Sequence, residues 1–468
     1  MNDSKTRRLC EYLAQADLKI VPCEVIQKAK WCVLDSLGNA IGGGVLQPSR
    51  IIQGLITRWG GAEEATIVSS GARVPLPFAV YANSYNANAL DFDDTHAAQG
   101  HPGSMVIPPA LSVSEWASRP GEEFLSAVIH SYEVALRIGA ALKATPERYK
   151  KVMGQASYLV FGTVSAASKL LGLDAEKTLD AFGIAGASAP VPFVRKFGLN
   201  LEDRPVAWVK NNFGWASMAG LVAALLAREG FVGNRSILDG ECGFWVMAGS
   251  DRCDFDKMTE GLGEEYLILD TAFKPYASCR WTHSALDAVE LMKSREGGLE
   301  TSRIEKIQIK GFYEVGHSLS AANPRNIIDA QFSLPYLVAL SLANKSPRFG
   351  LRESDLDDPE VRQLMDKVEI EVDEGYSRMF FEEHLTPSTV ILTMRDGRVL
   401  SETVLKPSGE SESPVTEEEL RDKFMRLVAP VLGGRAARSI MSGVLNIESV
   451  HDMRAFVRSW FSDKGSQL

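Results

Sequence analysis

"STVILTMRDGRVLSETVL", residues 388–405, predicts a β-hairpin in a chain that is otherwise largely helical. Two β-branched runs are joined through Asp396-Gly397, a dipeptide that favours the tight turns of two-stranded hairpins. Residues 303–312 (RIEKIQIKGF) and 367–373 (KVEIEVD) alternate apolar and polar side chains, as half-buried strands do. Together these segments predict an α/β domain over residues 270–408.

The segments on either side of this domain have helical periodicity. Residues 24–44 (EVIQKAKWCVLDSLGNAIGGG) place apolar side chains mostly three or four positions apart, as one face of a helix requires. After a polar linker, Thr416 and Glu419 have the spacing of a capping box that begins a helix. We therefore predict an α + α/β fold: a large all-helical domain, split in sequence into residues 1–269 and 409–468, with the smaller α/β domain inserted between its two parts.

Length, charge and cysteine spacing exclude several classes of protein. A chain of 468 residues is too long for one compact core, which agrees with more than one domain. The net charge of −10 disfavours nucleic acid and anionic membranes as partners. The six cysteines match no zinc-binding spacing, the N-terminus lacks the apolar core of a secretory signal, and no apolar run is long enough to span a bilayer. We expect a cytoplasmic protein without a metal site.

The first segment that could carry chemistry is "NALDFDDTHAAQGHPGSMVIPPAL", residues 88–111. Asp91 and Thr95 are spaced to share one face at a helix end, and His101 stands at the entrance of the next helix. An imidazole beside carboxylates near a helix N-terminus favours acid/base chemistry or carboxylate binding. Equally, the aspartates could cap helices and the histidines could satisfy buried carbonyl groups.

The second segment is "FKPYASCRWTH", residues 273–283, at the predicted boundary between the domains. Lys274, Cys279, Arg280 and His283 supply two cations, a thiol and an imidazole, and clefts between domains are frequent sites for small molecules. If the thiol is exposed, the two flanking cations should lower its pKa. An ordinary hinge with solvated cations explains the same residues.

A third segment, "RPVAWVKNNFGWASMAG" (residues 204–220), places Lys210 before a helix predicted to begin at Gly214. The ammonium group and the N–H groups of the first helical turn could hold an anion together. A solvated lysine is the simpler explanation of this segment in isolation.

Taken together, the three segments resemble the MmgE/PrpD family, which includes 2-methylcitrate dehydratase, cis-aconitate decarboxylase and iminodisuccinate epimerase. The resemblance extends over nearly the whole chain, and its motifs stand in the family's order. These motifs are DFDDT, HP and VxPxxL within residues 91–111, the Gly-led, Ala-rich helix at 214–233, KPYxSCRxTH at 274–283, and DAQFSLPYxVA at 329–339.

The resemblance implies a split helical domain with an inserted α/β lid, a homodimer, and chemistry without a metal or an organic cofactor. It implies a small di- or tricarboxylate as substrate, with proton transfer next to a carboxylate. His101, Lys274, Cys279 and Asp91 would be catalytic, with Cys279 at a position where dehydratase and decarboxylase members carry a histidine. The remaining expected site residues would bind substrate: Thr95, Lys210, Arg280 and His283.

One departure from the family pattern concerns a second histidine. Relatives often carry it before an Ala-rich helix, where this chain has Met153 or Gln155 nearest to its place. We therefore expect a cofactor-independent lyase or isomerase acting on a small acid, with a dehydratase-like reaction favoured. Decarboxylation, epimerisation and a non-catalytic, metabolite-binding relative are the alternatives.

Overall fold

The computed structural model describes residues 4–96, 100–153, 155–190, 193–194 and 201–462. Within these residues most of the chain is helical. The α-helices, in chain order, are α1 (Lys5–Gln15), α2 (Cys23–Gly43), α3 (Gln47–Trp59), α4 (Leu76–Ala89), α5 (Pro102–Ala117), α6 (Gly121–Ala141), α7 (Pro146–Tyr149), α8 (Gln155–Leu170), α9 (Ala175–Ser188), α10 (Phe213–Arg228), α11 (Phe244–Met247), α12 (His283–Arg295), α13 (Tyr313–His317), α14 (Ile327–Ala330), α15 (Leu334–Leu342), α16 (Pro359–Met365), α17 (Glu374–Glu383), α18 (Glu417–Leu432), α19 (Gly434–Leu445) and α20 (Met453–Ser459).

A four-stranded mixed sheet lies in the second half of the chain. Its strands are β5 (Ile304–Gly311), β6 (Val368–Val372), β7 (Ser388–Met394) and β8 (Val399–Val404). They are arranged in the order β6-β5-β7-β8, with β5 and β6 parallel and the other neighbours antiparallel. Two pairs of two-residue strands lie in the first half: β1 (Ala65–Thr66) with β2 (Arg73–Val74), and β3 (Val152–Met153) with β4 (Phe193–Val194).

The buried apolar side chains form two clusters. One is built from the helices of the first half of the chain and includes side chains of α18, α19 and α20 from the C-terminal segment. The other covers the mixed sheet and its neighbouring helices, and it includes Val206 from the first half. The C-terminal helices therefore pack directly on the N-terminal helices, although the residues of the mixed sheet separate them in the sequence.

Small residues allow α18 to approach α2 closely. A Cβ atom added at Gly42 would lie 3.0 Å from the side chain of Leu427, and one at Gly38 would lie 3.2 Å from that of Phe424. Gly38 and Gly42 thus serve the packing of α18 on α2.

The coarse prediction of helices together with a mixed α/β unit is confirmed. β7 and β8 form the predicted hairpin, whose Gly397 adopts φ 85° at the turn, and the predicted strands become β5 and β6. Thr416 and Glu419 form the predicted capping box of α18. The domain boundaries at residues 270 and 408 stay a prediction. Within the described residues, every helix is too short or too polar to cross a bilayer.

Candidate active site

The centre of the site is a buried carboxylate, Asp91, between two lysine side chains. The Nζ atom of Lys274 lies 3.3 Å from Asp91 Oδ1, and the Nζ atom of Lys210 lies 3.6 Å from the same oxygen. Lys274 also donates a hydrogen bond of 2.8 Å to the backbone carbonyl of Asp91. Burial raises the pKa of Asp91, but the charges of Lys210, Lys274 and His101 lower it overall, so the carboxylate is ionised at neutral pH.

Three separate parts of the chain bring these side chains together. Asp91 follows the end of α4 in a left-handed conformation, with φ 50°, which Asp tolerates better than most residues. Lys210 is also left-handed, with φ 42°, just before α10 begins. Lys274 stands two positions after Ala272, which pairs with Thr95 in an antiparallel β-bridge.

Lys210 is fixed by two further oxygens. Its ammonium group donates to the carbonyl of Asn88 at 2.9 Å and to Oε1 of Gln331 at 3.1 Å. The side chain of Gln331 in turn donates to the carbonyl of Ala89 at 2.9 Å, so it joins α4 to the chain that carries Lys210. Gln331 belongs to the DAQFSLPY motif, but the sequence alone does not indicate a role for its side chain. Its full burial is what marks it as part of the site.

His101 occupies the N-cap position of α5, beside a second buried carboxylate. Its Nδ1 atom lies 3.5 Å from Oδ2 of Asp93, which also accepts a hydrogen bond of 2.6 Å from the hydroxyl of Ser104. Burial raises the pKa of Asp93, but His101, Lys274 and Ser104 lower it below its ordinary value. Asp93 is therefore the carboxylate paired with His101, and Asp91 lies close by, since the ligand atoms of all three residues fall within 4.8 Å of one another.

Asp94 is buried next to these groups but has a different protonation state. The hydroxyl of Tyr132 donates to its Oδ2 at 2.7 Å, and the N–H of Gly103 donates to its Oδ1 at 2.9 Å. Burial raises the pKa of Asp94 to about 8, although these hydrogen bonds act in the opposite direction. Asp94 thus fixes the first turn of α5 through Gly103, directly after the N-cap residue His101.

Thr95 does not share a helical face with Asp91, so that prediction is wrong. The helix has already ended at Ala89. The N–H of Thr95 donates to the carbonyl of Ala272 at 2.9 Å, and the N–H of Ala272 donates back at 2.7 Å. Backbone pairing therefore determines the position of Thr95, and it holds the strand that leads to Lys274 against the segment of Asp91.

Cys279 is buried, so the condition for a lowered thiol pKa is not met. Its exposed fraction is 8%. Burial raises the pKa of the thiol to about 12, Asp91 acts in the same direction, and Lys274 opposes them. The second flanking cation, Arg280, pairs with Glu410 instead. The thiol is therefore neither accessible nor partly ionised, because burial outweighs the charge of Lys274.

Arg280 and His283 form a separate polar cluster. Arg280 donates to Oε1 of Glu410 at 2.5 Å and to the carbonyl of Ser408 at 2.8 Å, and its Nη1 lies 3.0 Å from Nδ1 of His283. The Nε2 atom of His283 lies 3.2 Å from the carbonyl of Ser278. Burial and then the charge of Arg280 lower the pKa of His283 well below its ordinary value, so the ring is neutral. These contacts join the turn before α12 to the loop of Ser408, and a role in substrate binding stays a prediction.

A small cavity adjoins the cluster of Asp91 and the two lysines. It is bounded by Tyr85 and Asn88 of α4 and by residues 209–213, and its volume of about 10 Å³ holds about one water molecule. The Oδ2 atom of Asp91 is buried and has no hydrogen-bond partner among the described residues.

Asp91, Asp93 and His101 together offer three possible ligand atoms for a metal ion. The ligand atoms of Asp91, Asp93 and His101 lie within 4.8 Å of one another, a spacing that a metal ion can bridge. The ammonium group of Lys274, 3.3 Å from Asp91, would repel such an ion, and Asp93 already accepts hydrogen bonds from its neighbours. These residues suit an ionised carboxylate–ammonium cluster better than a metal centre, and metal-independent chemistry stays a prediction.

The chain is similar to a known family of enzymes over most of its length. Residues 7–255 match the MmgE/PrpD N-terminal domain, and residues 276–448 match the MmgE/PrpD C-terminal domain. The chain therefore belongs to the MmgE/PrpD family, as its motifs predicted, and it is an enzyme of the lyase type.

Individual relatives are similar over almost the whole chain. The cis-aconitate decarboxylase-like protein oryM of Aspergillus oryzae is 24% identical, with 96% of this chain and 95% of that protein covered. Human cis-aconitate decarboxylase is 25% identical (92% and 88% covered), and that of Aspergillus terreus is 24% identical (96% and 94%). The side chains of Met153 and Gln155, nearest to the place of the missing family histidine, lie outside the described residues.

Proposed function

We propose that this enzyme is a cofactor-independent lyase that acts on a small di- or tricarboxylic acid by proton transfer next to a carboxylate. One observation carries the proposal: two buried lysines meet at the ionised Asp91, next to the His101–Asp93 pair. Buried cations next to a group that can move a proton suit an anionic substrate whose charge changes during the reaction.

Lys210 and Lys274 supply the positive charge for substrate binding. Without ligand, both ammonium groups lie close to Asp91 Oδ1, and Asp91 Oδ2 has no partner among the described residues. A substrate carboxylate would share the lysines with Asp91, and a donor group of the substrate or a water could bind Oδ2. Burial lowers the pKa of Lys210, opposed by Asp91 and Asp93, so its charge depends on the anions around it.

Decarboxylation is the reaction we put first. The C–C bond to one carboxylate breaks, carbon dioxide leaves, and the electron pair remains on the substrate. A carbon of the substrate then takes a proton, for which His101 is placed beside Asp93. The names of the full-length relatives support this choice. Dehydration, favoured by the sequence resemblance, would use His101 to remove a proton next to a carboxylate while hydroxide leaves with a second proton.

The experiment is a substrate panel followed by proton NMR in deuterium oxide. cis-Aconitate, 2-methylcitrate and other hydroxylated or unsaturated di- and tricarboxylates are each incubated with the wild-type protein and with the His101→Asn variant. We expect one acid to lose carbon dioxide or water, with deuterium incorporated at one carbon, in the wild type alone. A protein that binds acids without turnover or C–H exchange would be the non-catalytic relative, and the proposal would be wrong.

The two lysines are tested separately. Lys274→Met and Lys210→Met should each raise the KM for the acid by roughly 10- to 100-fold, the range expected for losing one charge-assisted contact. The matched control is Lys30→Met, because Lys30 is also buried but pairs with Glu448 away from the site. Equal KM values in Lys274→Met and in the control would remove Lys274 from the substrate-binding site.

We also propose a homodimer in the cytoplasm, on the basis of the family resemblance. Exposed aromatic side chains on α3 and α10 support an apolar contact surface: Trp59 contacts Phe78 with ring centroids 5.2 Å apart, and Trp215 contacts Tyr81 at 5.1 Å. Light scattering after size-exclusion chromatography should give twice the mass of one chain. A single-chain mass at micromolar concentration would refute the dimer.

A further inference from the structure

A buried lysine from the C-terminal segment contacts the backbone that carries the site residues. Lys423 lies on α18, and its ammonium group donates to the carbonyl of Phe92 at 2.5 Å and to the carbonyl of Lys274 at 3.1 Å. It also forms an ion pair with Asp35 of α2, at 2.6 Å from Oδ1. Three oxygens from three distant segments thus surround one ammonium group.

The surroundings of Lys423 fix its position. The residue is 8% exposed, and its Nζ atom lies 3.9 Å from the centre of the Phe92 ring, at cation–π distance. Asp35 is held in turn by Asn39, whose amide donates to the Asp35 carboxylate at 3.3 Å and to the carbonyl of Phe92 at 3.2 Å. A buried charge needs such partners, because burial without them is strongly unfavourable.

The two carbonyl groups belong to the backbone that carries the site. Phe92 stands between Asp91 and Asp93, and its carbonyl belongs to the peptide that joins it to Asp93. A hydrogen bond to this carbonyl therefore restrains the short segment that carries both carboxylates. The carbonyl of Lys274 belongs to the residue whose own ammonium group contacts Asp91. The contacts of Lys423 therefore set the distance between the carboxylate segment and the segment of the second cation.

We propose that Lys423 is a positioning residue: it holds the backbone at Phe92 and Lys274 so that the side chains of Asp91, Asp93 and Lys274 keep their reacting arrangement. This inference rests on the proposed function, because it concerns the rate of that reaction. Within the part of the chain that the structure describes, Lys423 forms no hydrogen bond or ion pair with Asp91 or His101. It acts on these side chains through the backbone.

The test compares Lys423→Met with Lys30→Met in the full-length protein. Lys30 is also a buried lysine, it joins α2 to the C-terminal segment through Glu448, and it touches no backbone of the site. Because a misplacement of about 1 Å can reduce a rate by roughly 100-fold, we expect kcat to fall about 100-fold in Lys423→Met. In Lys30→Met, kcat should stay within about twofold at a similar loss of thermal stability.

A second variant separates positioning from stability. Lys423→Met leaves Asp35 as a buried, unpaired carboxylate, and the double variant Asp35→Asn/Lys423→Met removes that charge. We expect the double variant to recover thermal stability while its kcat stays low, because the carbonyl groups of Phe92 and Lys274 still lack their donor. Hydrogen–deuterium exchange should be faster at the peptides of these two residues in both variants, and unchanged there in Lys30→Met.

The outcomes separate this inference from the proposed function. A wild-type protein that converts no acid overturns the proposed function, and the positioning role falls with it. An active wild type with an equally active Lys423→Met overturns the positioning role alone. A double variant that regains stability and kcat in parallel also overturns it, since Lys423 would then matter only for folding.

Discussion

The environment of Cys279 predicts a thiol that resists alkylation. The perturbation is iodoacetamide, applied to the native protein at pH 7.5 with each cysteine followed by peptide mass spectrometry. Cys23 and Cys242 are exposed and serve as internal references. Cys253 is partly buried, with its pKa raised to about 11 by burial, and gives an intermediate case.

The magnitude follows from the thiolate fraction, since the thiolate is the reacting form. A thiol with the ordinary pKa of about 8.5 is roughly 10% ionised at pH 7.5. Burial raises the pKa of Cys279 to about 12. This corresponds to an ionised fraction of roughly 0.003% and to a rate roughly 3 × 10³-fold lower. Restricted access through the surrounding side chains lowers the rate further.

The same environment predicts a mild effect of Cys279→Ser. A thiol with a pKa of about 12 does not act as a base at neutral pH and is a weak proton donor. We therefore expect kcat to remain within about threefold of the wild type. The result that would refute this reasoning is alkylation of Cys279 within tenfold of Cys23, together with a serine variant that loses most of its rate. The charge of Lys274 would then outweigh burial, as the sequence alone suggested.

Three further predictions concern the carboxylate and imidazole groups. His101→Asn should lower kcat by roughly 10²- to 10⁴-fold, the usual size of a general acid/base effect, with an unchanged circular dichroism spectrum; residual activity of more than a few per cent would exclude this role. Because the pKa of Asp94 is raised from 3.8 to about 8, the folded protein holds a proton between these values that the unfolded chain has lost. The free energy of unfolding should therefore fall as pH rises through this window, by on the order of 1 kcal/mol per pH unit from this group. Urea denaturation of Asp94→Asn at pH 5 and pH 7.5 should show this slope reduced relative to the wild type, and an unchanged slope would contradict the assignment. Treatment with EDTA should leave activity unchanged, and activity lost on chelation and restored by one metal ion would assign Asp91, Asp93 and His101 to a metal centre.

Local sequence rules predicted those elements whose stability is decided within a few residues. The hairpin of residues 388–405 depends on its own turn, and the start of α18 depends on Thr416 and Glu419, so both could be predicted. The placement of His101 at the start of α5 could be predicted for the same reason. The family motifs added Lys210 and Lys274, which the sequence otherwise gave no reason to bring together.

The errors arose where contacts between distant residues decide the outcome. The spacing of Asp91 and Thr95 suggested one helical face, but α4 ends earlier and Thr95 pairs with Ala272 instead. Adjacent cations suggested an activated thiol at Cys279, but the guanidinium group of Arg280 binds Glu410, 130 positions further along the chain. Sequence neighbours therefore do not determine the charge environment of a buried side chain.

The C-terminal segment has two roles that sequence periodicity could not separate. Its helices pack on the N-terminal helices, where the side chain of Leu427 lies against Gly42. They also place Lys423 in contact with the backbone of the site. Loss of the whole segment would expose the helical core and remove the contact at Phe92 and Lys274 in one step, so stability and activity would fall together. A single substitution at Lys423 can separate the two, because apolar packing by α18 survives the loss of one ammonium group. The comparison of Lys423→Met with Lys30→Met is decisive because both lysines are buried, but only Lys423 contacts the backbone of the site.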